Sequence, residues 1–436
     1  MEVLPCGHAA LAGPSRLCQH LLGSEGADHI RLLTGEGMQY DACCQDCGRA
    51  GQSGTQPELF VACEGCVSRC TDGWDYAWRG EPGIRDRAEP IDTTIGEVRL
   101  PATTADLTPA LGETDSVWLL LTRDGEIGRF AADRGEWDII ARSGVPGEPD
   151  HKAWCGRVLR PRMHASPCGN FVAIVNDYGH HGQVIDLRTA AVTCTLNGGD
   201  YHEETVPFSV AFASHENRTV VIHRTAWNRL DVSDAATGDV LTQRDPTSYR
   251  QSERRPDHYL DYFHGGLAVS TDGHWIADDG WVWHPVGMIR TWDLRQWMTG
   301  NPWESEDGPS LQTLCPRLYH WDSPTCWISE NLIAVSGIGD DDEALLPGVR
   351  VFDVTTGAEV SAFALPEHPA SLFASAGRLF AAGAARLDVW DPATGERTGT
   401  VLGFSPTVHH PSAGELAAFD GDARILQLWP TPGAGG

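Results

Sequence analysis

One short phrase recurs between residues 184 and 395: apolar, polar, apolar, then Asp, two residues, and Thr-Gly or a relative. It reads Val-Ile-Asp186-Leu-Arg-Thr189, Val-Ser-Asp234-Ala-Ala-Thr237-Gly238, Thr-Trp-Asp293-Leu-Arg-Gln296, Val-Phe-Asp353-Val-Thr-Thr356-Gly357 and Val-Trp-Asp391-Pro-Ala-Thr394-Gly395. Self-similarity at a spacing of tens of residues marks a repeat architecture, in which each unit buries its apolar face only against its neighbours. The phrase itself is turn chemistry. A short polar side chain caps backbone groups and Gly permits positive φ.

The residues around each phrase follow one plan. A first strand enters a turn such as Ser166-Pro-Cys-Gly169, Ser214-His-Glu-Asn217, Ser270-Thr-Asp-Gly273, Ser375-Ala-Gly377 or Ser412-Ala-Gly414. Apolar runs follow, among them Phe171–Val175, Thr219–Ile222, Leu379–Ala382 and Glu415–Phe419. Continuous runs of this length fit strands buried on both faces. A third strand ends at the Asp phrase and a fourth leaves it. Asp133-Arg-Gly135 adds a further turn, and the chain closes on a lone third strand, Ile425–Trp429. Glu97–Leu100 can supply its missing partner, giving seven units with first and last residues zipped together. Such closure removes exposed sheet edges.

Trp292-Asp293 and Trp390-Asp391 match the signature pair of WD40-type β-propellers, and residues 93–430 resemble that family. The resemblance implies a mainly β fold, a seven-bladed β-propeller, and a platform for binding proteins. The Gly-His dipeptide usual early in each repeat is missing from its place, and most repeats lack the Trp. Those departures put the family's buried His–Ser–Trp network in question here.

The N-terminal residues carry different chemistry. Eight of the thirteen cysteines lie within the first 70 residues, in closely spaced pairs. An odd cysteine count, with no basic, apolar signal segment at the start, points away from a disulfide scaffold. Cys44-Gln-Asp-Cys47 and Cys63-Glu-Gly-Cys66 are two C-x2-C turns, the spacing that aims four thiolates at one zinc ion. Cys43 is an alternative to Cys44, and Cys70 is left over. Cys6-Gly-His8 and Cys18-Gln-His20 form a Cys2His2 set suited to a second zinc, on a weaker spacing signal. The four pairs sort by sequence order or interleave. This segment resembles zinc-ribbon or treble-clef modules, with closed structural sites rather than catalytic ones. The expected organisation is a small N-terminal zinc-binding domain over 1–80, an ordered connector over 81–92 anchored by Trp74 and Trp78, the propeller over 93–430 and a flexible tail over 431–436.

Charge and hydropathy narrow the partners. The formal net charge is −28, from 60 acidic and 32 basic residues, with no basic patch to override it. Such a surface repels phosphate backbones, so nucleic acid is disfavoured. No window of about 18 apolar residues exists to span a membrane. Lys152 is the sole lysine, an Arg bias expected of a GC-rich genome, and the chain reads as cytoplasmic and bacterial.

Loop length then points to a working face. The one-to-two and three-to-four turns are short, whereas the opposite edge carries the stretches Ser143–Gly156, Asn176–Gly182, Gly198–Val206, Arg244–His264, Asp278–Gly287, Thr299–Thr325 and Ser336–Gly348. Loops not needed for topology are where binding residues concentrate. Tyr178, His180, His181, Tyr201, His202, Trp227, Tyr249, Arg254, Trp281, Trp283, Trp303, Trp321 and Asp341 lie there, the aromatic and Arg anchors that protein interfaces use. The expected function is a non-catalytic scaffold binding a protein partner. The alternative is a metal-dependent hydrolase built from Asp177, His180, His181, Asp200, His202 and Glu203. No H-E-x-x-H, Gly-x-Ser-x-Gly or phosphate-binding glycine loop supports that alternative.

Overall fold

The computed structural model describes residues 12–22, 29–33, 40–44, 46–47, 58–63, 75–77, 85–91, 94–149, 154, 156–245, 254–283, 285–339 and 345–432. A small mixed sheet comes first. It comprises β1 (Ala12–Cys18), β2 (His29–Leu33), β3 (Tyr40–Cys44), β4 (Leu59–Cys63) and β5 (Asp75–Ala77), in the order β4-β1-β3-β2-β5. β1 runs parallel to β3, with Leu17 opposite Ala42, and antiparallel to β4, with Ala12 opposite Cys63. Cys18 and Cys44 therefore share one end of the sheet, and Cys63 lies at the other. Among the side chains described there, Leu17, Cys18, Leu21, Ala42, Cys43 and Ala62 are buried and apolar.

Two strands follow that join sheets far along the chain: β6 (Arg85–Pro90) and β7 (Gly96–Arg99). Seven antiparallel sheets then succeed one another. The first joins β8 (Thr104–Pro109), β9 (Val117–Thr122), β10 (Glu126–Ala131) and β11 (Glu136–Arg142). The second joins β12 (Arg160–Ala165), β13 (Phe171–Asp177), β14 (His181–Asp186) and β15 (Ala191–Asn197). The third has β16 (Val210–His215), β17 (Arg218–Ala226) and β18 (Arg229–Asp234), its fourth position reduced to a bridge between Ser233 and Val240. The fourth has β19 (Phe263–Val269), β20 (Trp275–Val282), β21 (Val286–Asp293) and β22 (Gln312–Leu318). The fifth has β23 (Thr325–Trp327), β24 (Leu332–Ile338), β25 (Leu346–Asp353) and β26 (Ala358–Ala364). The sixth has β27 (Ser371–Ser375), β28 (Arg378–Ala382), β29 (Arg386–Asp391) and β30 (Glu396–Leu402), with β6 added parallel to β30. The seventh has β31 (Val408–His410), β32 (Glu415–Asp420) and β33 (Ile425–Pro430), completed by β7, with Leu426 opposite Val98. The chain is mainly β, built of mostly four-stranded antiparallel sheets.

The apolar runs are what stack these sheets. Every residue of β9 and of β13 is buried. Ile127 and Leu119 of the first sheet pack with Val172 and Ile185 of the second, and Val175 and Val184 pack with Val210 and Val221 of the third. The succession continues to a cluster in which Trp118 and Leu120 of the first sheet meet Ala417 and Leu426 of the seventh. Among the described residues, no helix is long and apolar enough to cross a membrane.

The Asp phrase works as its chemistry dictates. Asp234, Asp353 and Asp391 accept hydrogen bonds from the N–H groups of Ala236, Thr355 and Ala393 at 2.8, 2.8 and 2.9 Å. Gly238, Gly357 and Gly395 follow at φ 76°, 71° and 66°, where a side chain would be strained. Asp293 departs from this pattern. Its side chain caps α1 (Leu294–Thr299) by accepting from the Gln296 N–H at 2.9 Å, and α2 (Glu304–Asp307) follows. A turn was expected there, but Gln stands where the other phrases have Thr, so a helix can propagate. Trp292 and Trp390 are fully buried, and their indole N–H groups find no hydrogen-bond partner. The family's His–Ser–Trp network is thus not made at either position.

Candidate metal centre and interaction face

Cys18 ends β1 and Cys44 ends β3, and each strand runs into a tight reversal that returns a second ligand. After Cys18 the Leu21 N–H donates to the Cys18 carbonyl at 2.9 Å, bringing His20 back beside it. Cys47 lies one turn beyond Cys44. His20 Nδ1 sits 3.3 Å from Cys47 Sγ and 3.5 Å from Cys44 Sγ, and the Cys44 N–H donates to Cys18 Sγ at 3.3 Å. All four ligand atoms lie within 4.8 Å of one another. Tetrahedral zinc with 2.3 Å Zn–S bonds sets sulfurs about 3.8 Å apart, so this donor set fits. Burial, and then hydrogen bonding and charge from Cys44 and Cys18, push the Cys47 thiol up to about 12.

The grouping differs from sequence order. Sequence order sets Cys18 and His20 with Cys6 and His8, and Cys44 and Cys47 with Cys63 and Cys66; interleaving is the other expectation. The parallel pairing of β1 with β3 instead joins the second and third pairs. Cys44, not Cys43, faces the group; Cys43 is buried in the sheet, and burial raises its thiol to about 11. Cys63 ends β4 opposite Ala12, away from this cluster. Cys6, His8, Cys66, Cys70, Trp74 and Trp78 lie outside the described residues.

The opposite end of the molecule's chemistry is aromatic. Phe263 at the start of β19 stacks on Trp281 at 4.3 Å, and Trp281 stacks on Trp321 at 5.1 Å. Trp227 lies 4.5 Å from Phe263, Tyr201 stacks over Phe263 at 5.9 Å, and Trp283 meets Phe263 edge-on at 5.3 Å. His202 contacts Trp283 at 5.3 Å. Trp281 and Trp321 are 4% and 5% exposed, and their indole N–H groups bond Thr205. They are the framework. Tyr201 and Trp283, 47% and 41% exposed, are the surface. Tyr178 is buried, its hydroxyl donating to Asp322 at 2.6 Å.

Several expected loops prove to be hairpin tips. β13 runs to Asp177 and β14 begins at His181; β20 runs to Val282 and β21 begins at Val286. Trp303 lies between β21 and β22, in a connection that leaves the other edge of its sheet from the β20–β21 tip carrying Trp283. It stacks on His258 at 4.6 Å beside Arg244, filling the flank between the third and fourth sheets. Arg254 is exposed and pairs with Asp257 at 3.3 Å. Tyr249 and Asp341 lie outside the described residues. Sequence reading missed Trp154 and Tyr319, both exposed on the same edge as Tyr201 and Trp283. Their exposure depends on which neighbours cover them, and no local pattern encodes that.

Nor do the proposed hydrolytic residues converge. Asp177 is buried against Arg162 at 3.4 Å and Arg160 at 3.7 Å. His180 and His181 both turn to Glu148, while His202 lies 3.6 Å from Glu204.

The inner strands enclose a cavity of about 1030 Å³, walled in part by Asp106, Arg160, Arg162, His164 and His409. Burial lowers His164 to about 3, with Arg162 adding, and lowers His409 to about 4, with His410 adding. A folded-state pKa below the unfolded 6.5 means stability is fully present above pH 6.5 and lost as pH falls. Burial raises Asp177 and Asp279 to about 6, which acts in the opposite sense over pH 6 to 4. Wild type therefore hides part of the histidine effect. The His164→Gln variant should lose up to about 2 kcal/mol less stability than wild type between pH 7 and pH 5. Urea unfolding at both pH values measures this; equal losses contradict it.

Comparison with known proteins adds little. No protein-family model matches the chain. No curated protein sequence matches it either. Among solved structures, it is similar to a chain of the "Crystal Structure of Mitotic Checkpoint Complex", at 14% identity and TM-score 0.49, covering 79% of this chain and 94% of that one.

Proposed function

We propose that this chain is a non-catalytic protein-interaction scaffold. In this reading the seven sheets are the seven blades of a closed ring, β7 zipping the last to the first. The N-terminal segment is a zinc-held module, tied to the ring by β6. The partner docks on the edge that carries the inter-sheet connections and the two-to-three tips.

One observation supports this reading most. Among the described residues, the exposed large aromatics are Trp154, Tyr201, Trp283 and Tyr319, and all four belong to that edge. The other exposed large apolar residues are aliphatic, such as Ile139, Val192 and Val360 on outer strands. Exposed aromatics on a rigid base are the composition of interface hot spots. The base is strained as well as rigid: Tyr178, His202, Tyr319 and Asp322 hold positive φ of 54–64°. Such conformations cost energy and cluster where a surface is pre-shaped for use.

The test is affinity capture with Tyr201→Ala/Trp283→Ala, using Val192→Ala/Val360→Ala as the control. Loss of about 2 kcal/mol per anchor would weaken partner binding by about 30-fold for each ring removed. Melting temperature should stay near wild type, because both rings are already half in water. Equal recovery of partners by the aromatic variant and wild type refutes the docking edge.

A further inference from the structure

We infer that Glu148, His180 and His181 form a metal site for a divalent transition cation of the zinc class, separate from the cysteine cluster. This inference does not depend on the partner-binding reading. Glu148 comes from the connection between the first and second sheets, and the two histidines from the β13–β14 tip. Their ligand atoms lie within 4.8 Å of one another.

The carboxylate is held as a ligand is held. Its Oε1 accepts from Asn176 Nδ2 at 2.8 Å and from the N–H groups of His180 and His181 at 3.0 Å each. That leaves Oε2 facing inward, 2.9 Å from Nδ1 of both imidazoles. The Glu148 side chain is 2% exposed, so its carboxylate meets the two imidazoles away from bulk water. Outer hydrogen bonds that fix a carboxylate's direction are a regular feature of metal sites.

The histidine geometry adds a second argument. The His181 contact is a hydrogen bond, but His180 Nδ1, although as near to Oε2, is not aligned for one and has no other partner. A buried ring nitrogen close to a carboxylate and not aimed at it is how ligands stand around a shared cation. Ligands 2.1 Å from a tetrahedral ion sit about 3.4 Å apart, so about half an ångström of relaxation admits one. Gly179 keeps the approach open. A Cβ there would meet Glu148 Oε1 at 2.5 Å. Two imidazoles and one carboxylate suit zinc, cobalt or nickel over magnesium or calcium, and three protein ligands leave a coordination position free.

Cadmium-113 NMR of the full-length chain titrated with cadmium chloride tests this. Thiolate-rich sites and sites with only nitrogen and oxygen ligands resonate in separate regions, so the cysteine cluster does not interfere. We expect one nitrogen/oxygen-ligated resonance in wild type, lost in His180→Gln/His181→Gln while the thiolate signals stay. Its absence from wild type at excess cadmium, or its survival in the double variant, overturns the site. Should the double variant not fold, the wild-type spectrum and Gly179→Ala decide. That variant keeps all three ligand side chains but crowds the Glu148 carboxylate, and it should weaken cadmium binding at this site by at least about tenfold. Unchanged affinity in Gly179→Ala counts against the site.

Discussion

Removing metal from the cysteine cluster with a strong chelator is expected to unfold the N-terminal sheet while leaving the seven repeated sheets folded. The reason lies in what that sheet buries. Among its described side chains the buried apolar ones are Leu17, Cys18, Leu21, Ala42, Cys43 and Ala62, of which two are large. Ordering five strands costs backbone entropy, and a metal clamp between two of them offsets part of it. The sheet is also mixed, with β1–β3 and β2–β5 parallel, pairings that do not form from local hairpins. A cation held by Cys18, His20, Cys44 and Cys47 clamps the ends of β1 and β3 together. Structural zinc contributes about 10–16 kcal/mol in small zinc-finger peptides, because binding free energy there becomes folding free energy. Elemental analysis should therefore find metal on the purified chain, reduced by one equivalent in Cys44→Ser. Chelation should speed proteolysis within residues 12–77 by about 100-fold or more, with the urea midpoint of the remaining chain nearly constant. A metal-free chain whose N-terminal residues resist protease would dispose of the idea.

How much of this was legible before coordinates depends on the range of the contacts involved. The Asp phrase is local: side chain, turn and glycine lie within five residues, so the repeat and its strands could be read directly. The closing strand was also readable, because a lone third strand at Ile425–Trp429 demands a partner and Glu97–Leu100 had none nearby. Asp293 broke the pattern for a local reason visible afterwards, the missing Thr. The metal ligands were recognisable by type but not by grouping. Pair spacing says that two thiols share an ion; only the parallel register of β1 on β3 says which pairs meet.

The proposed docking edge shows the same division. Its residue types were visible, yet its exposure was not. Trp281 and Trp283 differ by two positions and should face one way, but Trp283 stands over Trp281 at 5.2 Å and takes the solvent in its place. Glu148 gave no signal at all. It sits in a polar connection, and only the fold brings it to His180 and His181, 32 and 33 residues on.

Arg317→Met is expected to be the most damaging single substitution in the repeated sheets, and its damage should depend on pH in a defined direction. Arg317 on β22 is fully buried and donates to Asp279 Oδ1 on β20 at 2.8 Å. The other carboxylate oxygen accepts from the Ser323 N–H at 2.9 Å, which fixes the connection bearing Tyr319 and Trp321. Burial holds Asp279 at about 6 even with the guanidinium beside it. Without Arg317 the carboxylate is buried and uncompensated, and breaking a pair this way costs about 3–5 kcal/mol. A carboxyl whose folded pKa exceeds its unfolded value costs stability above the folded pKa and recovers it on protonation. The loss should therefore be largest near pH 8 and shrink toward pH 5. Arg317→Met/Asp279→Leu removes both charges and should regain much of the loss at pH 8, because the uncompensated anion is gone. Since Ser323 would still lose its acceptor, partner binding should remain weakened in the double variant after stability returns. Urea unfolding at pH 5 and pH 8, beside partner capture, separates the two effects. A pH-independent loss would mean that Arg317 acts through packing and not through its charge.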